Sequence, residues 1–251
     1  MTKYPVDLIT ILGPTASGKT PFAAHLAHHL GDAEIISADS RMVYRGMTIG
    51  SGKDLDDYVV DGHHIPYHLI DICEAGYRFN VYEFQCAFQN AFMDITARGQ
   101  LPIMCGGTGL YIESVLKSYE LGQVRFPERN SLTIGLSIER DLRREKISRR
   151  LKARLEEGMI EEVQTLLQTV SAEKLIRYGL EYKFVTLYCL GQLSYDEMYR
   201  QLEIAIHQFA KRQMTWFRGM EERRGIPIHW IDATLAHEDK VQIVLDLLNG
   251  K

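Results

Sequence analysis

The chain has 251 residues, 45% of them hydrophobic and 25% charged, and a formal net charge of -4. This admits one α/β domain with a modest helical appendage and excludes a globally basic nucleic-acid binder, though not a local basic stripe. Cys73, Cys86, Cys105 and Cys189 are scattered without a CxxC pair, so neither a zinc site nor a disulfide scaffold is expected and the thiols read as free. No apolar run approaches the roughly 20 residues of a bilayer span, and Met1 to Asp7 carries no leader pattern. A soluble, cytoplasmic protein with no membrane partner is expected.

The first half alternates strand and helix. Asp7 to Leu12 is a short apolar run stopping at Gly13, as a buried parallel strand does. Gly18 to Leu30 reads as a helix with Pro21 in its first turn, where a missing N–H costs little. Glu34 to Ser37 predicts a second strand. Val81 to Arg98 predicts a helix with Phe84, Phe88 and Phe92 on one face. Leu101 to Cys105 follows as a strand, then Gly106-Gly107-Thr108-Gly109 and a short helix to about Lys117. Leu132 to Ile138 is a further strand. From there the pattern becomes helical, with Ile147, Leu151 and Leu155 in one row of Arg140 to Glu157. Ser194 and Glu197 form a capping box at the start of the last long helix. Met198, Leu202, Ala205, Phe209 and Trp216 follow at helical spacing. A strand from Ile226 to Ile231 and a helix from Ala236 to Leu248 close the chain. The expectation is a single P-loop NTPase-like, doubly wound parallel sheet over residues 1–251, mainly helical from about 139 to 220.

Gly13-Pro14-Thr15-Ala16-Ser17-Gly18-Lys19-Thr20 matches GxxxxGK[ST] between a strand and a helix, the context that gives the motif its meaning. Backbone amides from Gly13 to Gly18 are expected to curl around diphosphate oxygens at a helix N-terminus. Lys19 would reach the terminal phosphate and the Thr20 hydroxyl would ligate Mg²⁺. The motif does not say what carries the diphosphate. Asp39, just past the second strand, stands on the ligand-binding edge of such sheets. Three roles are open to it: metal ligand, general base, or cap of the next turn. The Gly106 to Gly109 turn lies on the same edge. No acidic residue ends the Leu101 to Cys105 strand, which weighs against a hydrolase or motor and leaves a small-molecule kinase open.

Arg140, Arg143, Arg144, Lys146, Arg149, Arg150, Lys152 and Arg154 make a basic stretch in which Arg143, Lys146 and Arg150 share a face. Most of these read as a solvated helix face. One or two closing over a diphosphate would stabilise a leaving group. His28-His29 and His63-His64 lack a metal-ligand spacing and read as surface or packing residues.

Taken together, the motifs resemble the tRNA dimethylallyltransferase (tRNA isopentenyltransferase) family. The matching pieces, in family order, are GPTASGKT (13–20), ISADSRMVYRGMTIG (36–50), YHLIDI (67–72), GGTGLYI (106–112), LKARLEEGMIEEV (151–163) and FAKRQMTWFR (209–218). The resemblance implies transfer of a dimethylallyl group from dimethylallyl diphosphate to N6 of an adenosine beside the anticodon of tRNA. It implies that Lys19 and Thr20 hold the prenyl diphosphate with Mg²⁺, and that Asp39 is the general base. It also places Thr108 near the reacting groups and Arg150 on the diphosphate. Ser40, Arg41, Lys211, Arg212, Gln213 and Arg218 are the implied RNA contacts. The chain departs from the family pattern at three places. Tyr119 to Ser131 stands where members carry a helical anticodon-binding insertion with an RALEV-like stretch. Gly50-Ser51-Gly52-Lys53-Asp54 replaces GTAKP, and Met42 replaces a glutamine. Prenyl transfer to a free adenine nucleotide, a P-loop kinase and a catalytically silent paralogue are the alternatives.

Overall fold

The computed structural model describes residues 3–121 and 127–250. The expected replacement for the insertion, Tyr119 to Ser131, includes 122–126, which lie outside the described residues. The described chain runs β1 (Leu8–Leu12), α1 (Lys19–Leu30), β2 (Ala33–Ser37), β3 (Val59–Val60), β4 (His63–His64), β5 (Tyr67–His68), α2 (Val81–Ala97) and β6 (Leu101–Gly106). It continues with α3 (Gly109–Leu116), β7 (Ser131–Ser137), α4 (Arg140–Glu156), α5 (Met159–Leu166), α6 (Ala172–Leu175), α7 (Leu180–Cys189), α8 (Tyr195–Arg224), β8 (His229–Asp232) and α9 (His237–Leu248).

Among the described residues, six strands form one parallel sheet in the order β5-β2-β6-β1-β7-β8. The central strands are apolar on both faces because both faces are covered. Phe22 and Leu26 of α1 with Val241 and Val244 of α9 pack on one side. Phe84, Phe88 and Phe92 of α2, Ile112 of α3, and Phe217 and Met220 of α8 pack on the other. A third core joins α4, α5, α7 and the first half of α8 through Ile147, Leu151, Val163, Tyr182, Val185 and Leu202. The chain is therefore a doubly wound α/β sheet carrying a helical layer.

Two expectations are corrected. The last strand starts at His229, not Ile226. Gly225 ends α8, and the Ile226 N–H donates back to the Met220 carbonyl at 3.1 Å; Pro227 then has no N–H to offer a neighbouring strand. The apolar row of α8 is also misplaced. Its buried residues include Met198, Leu202, Ile206, Ala210, Gln213, Phe217 and Met220, whereas Trp216 is 43% exposed and Phe209 is only partly covered. The capping box at Ser194 and Glu197 is present.

Candidate active site

The loops leaving the carboxyl ends of β1, β2 and β6 meet α4, α7 and α8 around one cavity of about 680 Å³. Order in the sheet explains the meeting: α1 carries the chain from β1 across β6 to β2, so the ends of β1 and β6 open the crevice where such sheets bind ligands.

Between β1 and α1 the P-loop turns through Ala16 in a left-handed conformation, φ 62°, and Gly18 caps α1. Lys19 folds back to donate to the Pro14 carbonyl at 2.8 Å. Burial lowers its pKa to about 8, with Cys105 and Asp39 opposing that fall and Arg150 adding to it. A desolvated ammonium at the N-terminus of α1 favours an anionic ligand. The Ser17 hydroxyl is buried without a partner beneath the loop.

Gln213 ties the loop to the opposite wall. Its carbonyl oxygen accepts from the Thr15 N–H at 2.8 Å, and its amide donates to the Gly107 carbonyl at 2.8 Å. A residue expected at the RNA thus spends its amide on holding the P-loop to the glycine turn. A polar side chain in the buried row of a helix is a signal legible in sequence, once the row is drawn correctly. Gly106 permits the same closeness: a Cβ there would lie 2.3 Å from the Ala38 carbonyl oxygen.

Asp39 lines the cavity, and its Oδ1 accepts from the Arg41 N–H at 3.0 Å. The carboxylate therefore caps its own turn while facing the ligand space. Thr108 secures this turn from β6, since its hydroxyl oxygen accepts from the Ser40 N–H at 3.0 Å and lies 3.2 Å from the Ser40 hydroxyl. Arg41 pairs with Glu181 at 2.5 Å and lies over the Phe209 ring at 5.2 Å. It is largely covered, so its charge belongs to the cavity wall.

Arg150 and Arg154 of α4 come from the other side and share Asp54, at 2.7 Å and 3.2 Å. Arg154 is buried; burial and then Arg150 depress its pKa. Asp57 lies close by, its pKa raised by burial and by Asp54. Lys211, Arg212 and Arg218 are exposed on α8. Arg212 and Trp216 border both the cavity and a shallower hollow formed with Gln208, Lys211, Thr215 and Arg223. Arg218 lines neither. Sequence reasoning missed Asp54, Asp57, Glu181 and the cavity positions of Phe209 and Trp216. Among the described residues no cluster of three His, Cys, Asp or Glu side chains is placed to hold a metal alone, and His28 meets His63 in a ring contact at 5.2 Å.

Among the described residues, seven basic and four acidic side chains line this cavity, so its field favours an anionic ligand. A P-loop at the switch point of a parallel sheet, facing two arginines and a carboxylate, places the chain in the P-loop NTPase-like class of α/β folds. The IPP transferase family model matches residues 42–130 and 120–220. The chain is 53% identical to tRNA dimethylallyltransferase 2 of Phocaeicola vulgatus over 310 aligned positions covering 100% of both proteins. It is 53% identical to tRNA dimethylallyltransferase 1 of Parabacteroides distasonis over 98% of each. The alignment to the first is longer than the chain, so that relative has residues without a counterpart here. The crystal structure of tRNA isopentenylpyrophosphate transferase from Bacillus halodurans superposes with a TM-score of 0.83 at 28% identity, over 97% of this chain and 96% of that one. The chain belongs to the tRNA dimethylallyltransferase family, a family of prenyltransferases.

Proposed function

We propose that this protein transfers a dimethylallyl group from dimethylallyl diphosphate to N6 of an adenosine next to the anticodon in tRNA. The observation that carries the reading is the convergence of Lys19, the Asp39–Thr108 turn and Arg150 on one cavity. Lys19, the P-loop amides and Arg150 bind the diphosphate and stabilise the charge that builds as pyrophosphate departs. Asp39, oriented by the Arg41 N–H, takes the proton from N6 as its nitrogen bonds to the allylic carbon. The carbon–oxygen bond to the diphosphate breaks in the same displacement.

Mg²⁺ is the expected partner of the diphosphate. Thr20, Asp39 and Asp57 bring hard oxygen donors to the cavity. Mg²⁺ is usually held mainly by phosphate oxygens and water, with one or two protein oxygens. Thr20 and the phosphates would hold it, and it would supply charge neutralisation of the leaving group.

Acceptor RNA reaches the cavity from the side of Ser40, Arg41, Lys211, Arg212 and Trp216, and Arg218 extends the basic face beyond it. We take the family's anticodon-gripping insertion to be missing near Tyr119 to Ser131, a stretch in which the two family-model matches overlap. We place the enzyme in the cytoplasm because its acceptor is made there; among the described residues no helix is long and apolar enough to cross a membrane.

The test is transfer of labelled dimethylallyl from its diphosphate with Mg²⁺, offering unmodified tRNA and free AMP in parallel. Label on tRNA supports the reading, and label confined to AMP, or to neither, refutes it. Asp39→Asn should lose transfer by roughly 10²- to 10⁴-fold with prenyl diphosphate binding retained; near-normal transfer in that variant removes Asp39 as the base.

A further inference from the structure

The segment from Thr48 to Asp54 is held from several sides. Glu162 of α5 accepts the backbone N–H groups of Thr48, Ile49 and Gly50 at 2.8, 2.7 and 3.0 Å. The Lys53 ammonium is buried and donates to the Tyr44 carbonyl at 2.7 Å and to Asp71 at 2.5 Å. Gly52 sits between these anchors at φ 76°, and a Cβ on it would fall within 3 Å of the guanidinium nitrogens of Arg150 and Arg154. The loop is therefore shaped to seat two guanidinium groups, and Asp54 presents its carboxylate to both.

Two facts connect this seat to the phosphate site. Lys19 and Arg150 line one cavity, so the P-loop ammonium and this guanidinium face a common space. Asp54 lines the same cavity, and its side chain is 46% exposed. Two guanidiniums side by side need an anion between them. A carboxylate presents oxygens to them much as a phosphate does.

We propose that Asp54 is an internal stand-in for the diphosphate: it holds the arginine pair in the empty site, yields Arg150 when the diphosphate arrives, and takes it back when pyrophosphate leaves. This rests on the diphosphate reading above. Asp54 is a positioning residue, acting on the ligand through Arg150 and Arg154. Its presence preorganises the arginines and weakens their hold on the product, because each arginine contact the ligand gains displaces one that Asp54 already makes.

The experiment is calorimetric titration of the full chain with inorganic pyrophosphate and Mg²⁺, comparing wild type, Asp54→Asn, Asp54→Glu and Arg150→Gln. Each is followed by steady-state transfer from the prenyl diphosphate. Asp54→Asn removes the competing charge while keeping size and polarity, and should bind pyrophosphate roughly three- to fivefold more tightly, the upper scale of a half-exposed ion pair. Its KM for prenyl diphosphate should fall with a smaller or opposite change in kcat, since release of pyrophosphate slows. Asp54→Glu restores the charge and should return within about twofold of wild type. A merely structural Asp54 gives weaker binding with a lower melting temperature, and that result overturns the proposal. So does an Asp54→Glu variant binding as tightly as Asp54→Asn. Unchanged affinity in Asp54→Asn with clear weakening in Arg150→Gln rejects the stand-in role alone and leaves the diphosphate reading standing. Wild type that does not bind pyrophosphate fails both.

Discussion

Glu162→Gln isolates the support beneath the arginine seat. In the native chain Oε2 accepts from Thr48 and Ile49, and Oε1 accepts from Gly50 and from the Tyr182 hydroxyl at 2.8 Å. Glutamine keeps one acceptor oxygen and turns the other position into a donor. If the oxygen stays with Thr48 and Ile49, the Gly50 N–H faces another N–H, while the Tyr182 hydroxyl rotates to accept. One unsatisfied backbone donor costs about 1–3 kcal/mol, and the retained bonds lose their charge assistance. The site is partly open to solvent, so the lower part of the range applies, about 2 kcal/mol in all. For a chain of this size that is a fall in Tm of about 4–8 °C. Urea unfolding should give a lower midpoint at an unchanged m-value, and Tyr182→Phe, which removes one of the four bonds, should cost about 1 kcal/mol. A Glu162→Gln midpoint corresponding to less than about 0.5 kcal/mol would show that the carboxylate does not organise the loop and would refute the reasoning.

Two pH dependences follow from the same structure. Lys19 titrates near pH 8 in the free protein because burial disfavours its charge, and a bound polyanion raises that pKa. Pyrophosphate binding therefore takes up a proton above pH 8, and affinity should fall by up to about tenfold per unit there. Titrations from pH 7 to 9.5 against Lys19→Arg, whose charge does not titrate, cancel the ligand's own ionisation; parallel profiles sink the assignment. His237 stacks on His25 with centroids 4.2 Å apart, and its Nδ1 is buried without a partner. Burial, with Lys240 and His25 beside it, lowers its pKa to about 4. Between pH 6.5 and 4 the unfolded chain binds the proton and the folded one does not, so stability falls as pH falls through that window. Discounted for solvent screening the loss is about 1–2 kcal/mol, and His237→Gln should flatten that part of the urea-stability profile. An equally steep profile in the variant assigns the loss to other groups.

The parts of this molecule that were legible in its sequence are those whose cause is local. Leu8–Leu12 and Leu101–Gly106 are continuous apolar runs because a parallel sheet buries both faces. The P-loop is legible because the backbone turn, the ammonium and the helix start come from eight adjacent residues. Asp39 and Thr108 were found singly by their place after strand ends, and the structure adds that one secures the turn of the other. Phe209 and Trp216 were misjudged because helical spacing marks two neighbouring rows of α8 as apolar. Only the tertiary packing says which row meets the core and which turns to the cavity.

The Asp54 seat was illegible for a different reason. Its partners lie 96 and 100 residues away, and nothing within a window of ordinary helical or strand length links an aspartate after a glycine-rich turn to arginines on α4. Arg154 even belongs to a stretch that reads as solvated surface, because charge pattern along one helix cannot report an anion supplied by another segment. Yet the local sequence does carry the loop's constraints separately. Gly52 leaves the space for the two guanidiniums, Lys53 anchors the backbone inside, and Asp54 supplies the charge. Each of the three reads as an ordinary turn residue. Their joint meaning arises only when the loop after β2 and α4 are folded against each other, bringing a carboxylate to the cavity where we propose that the diphosphate binds.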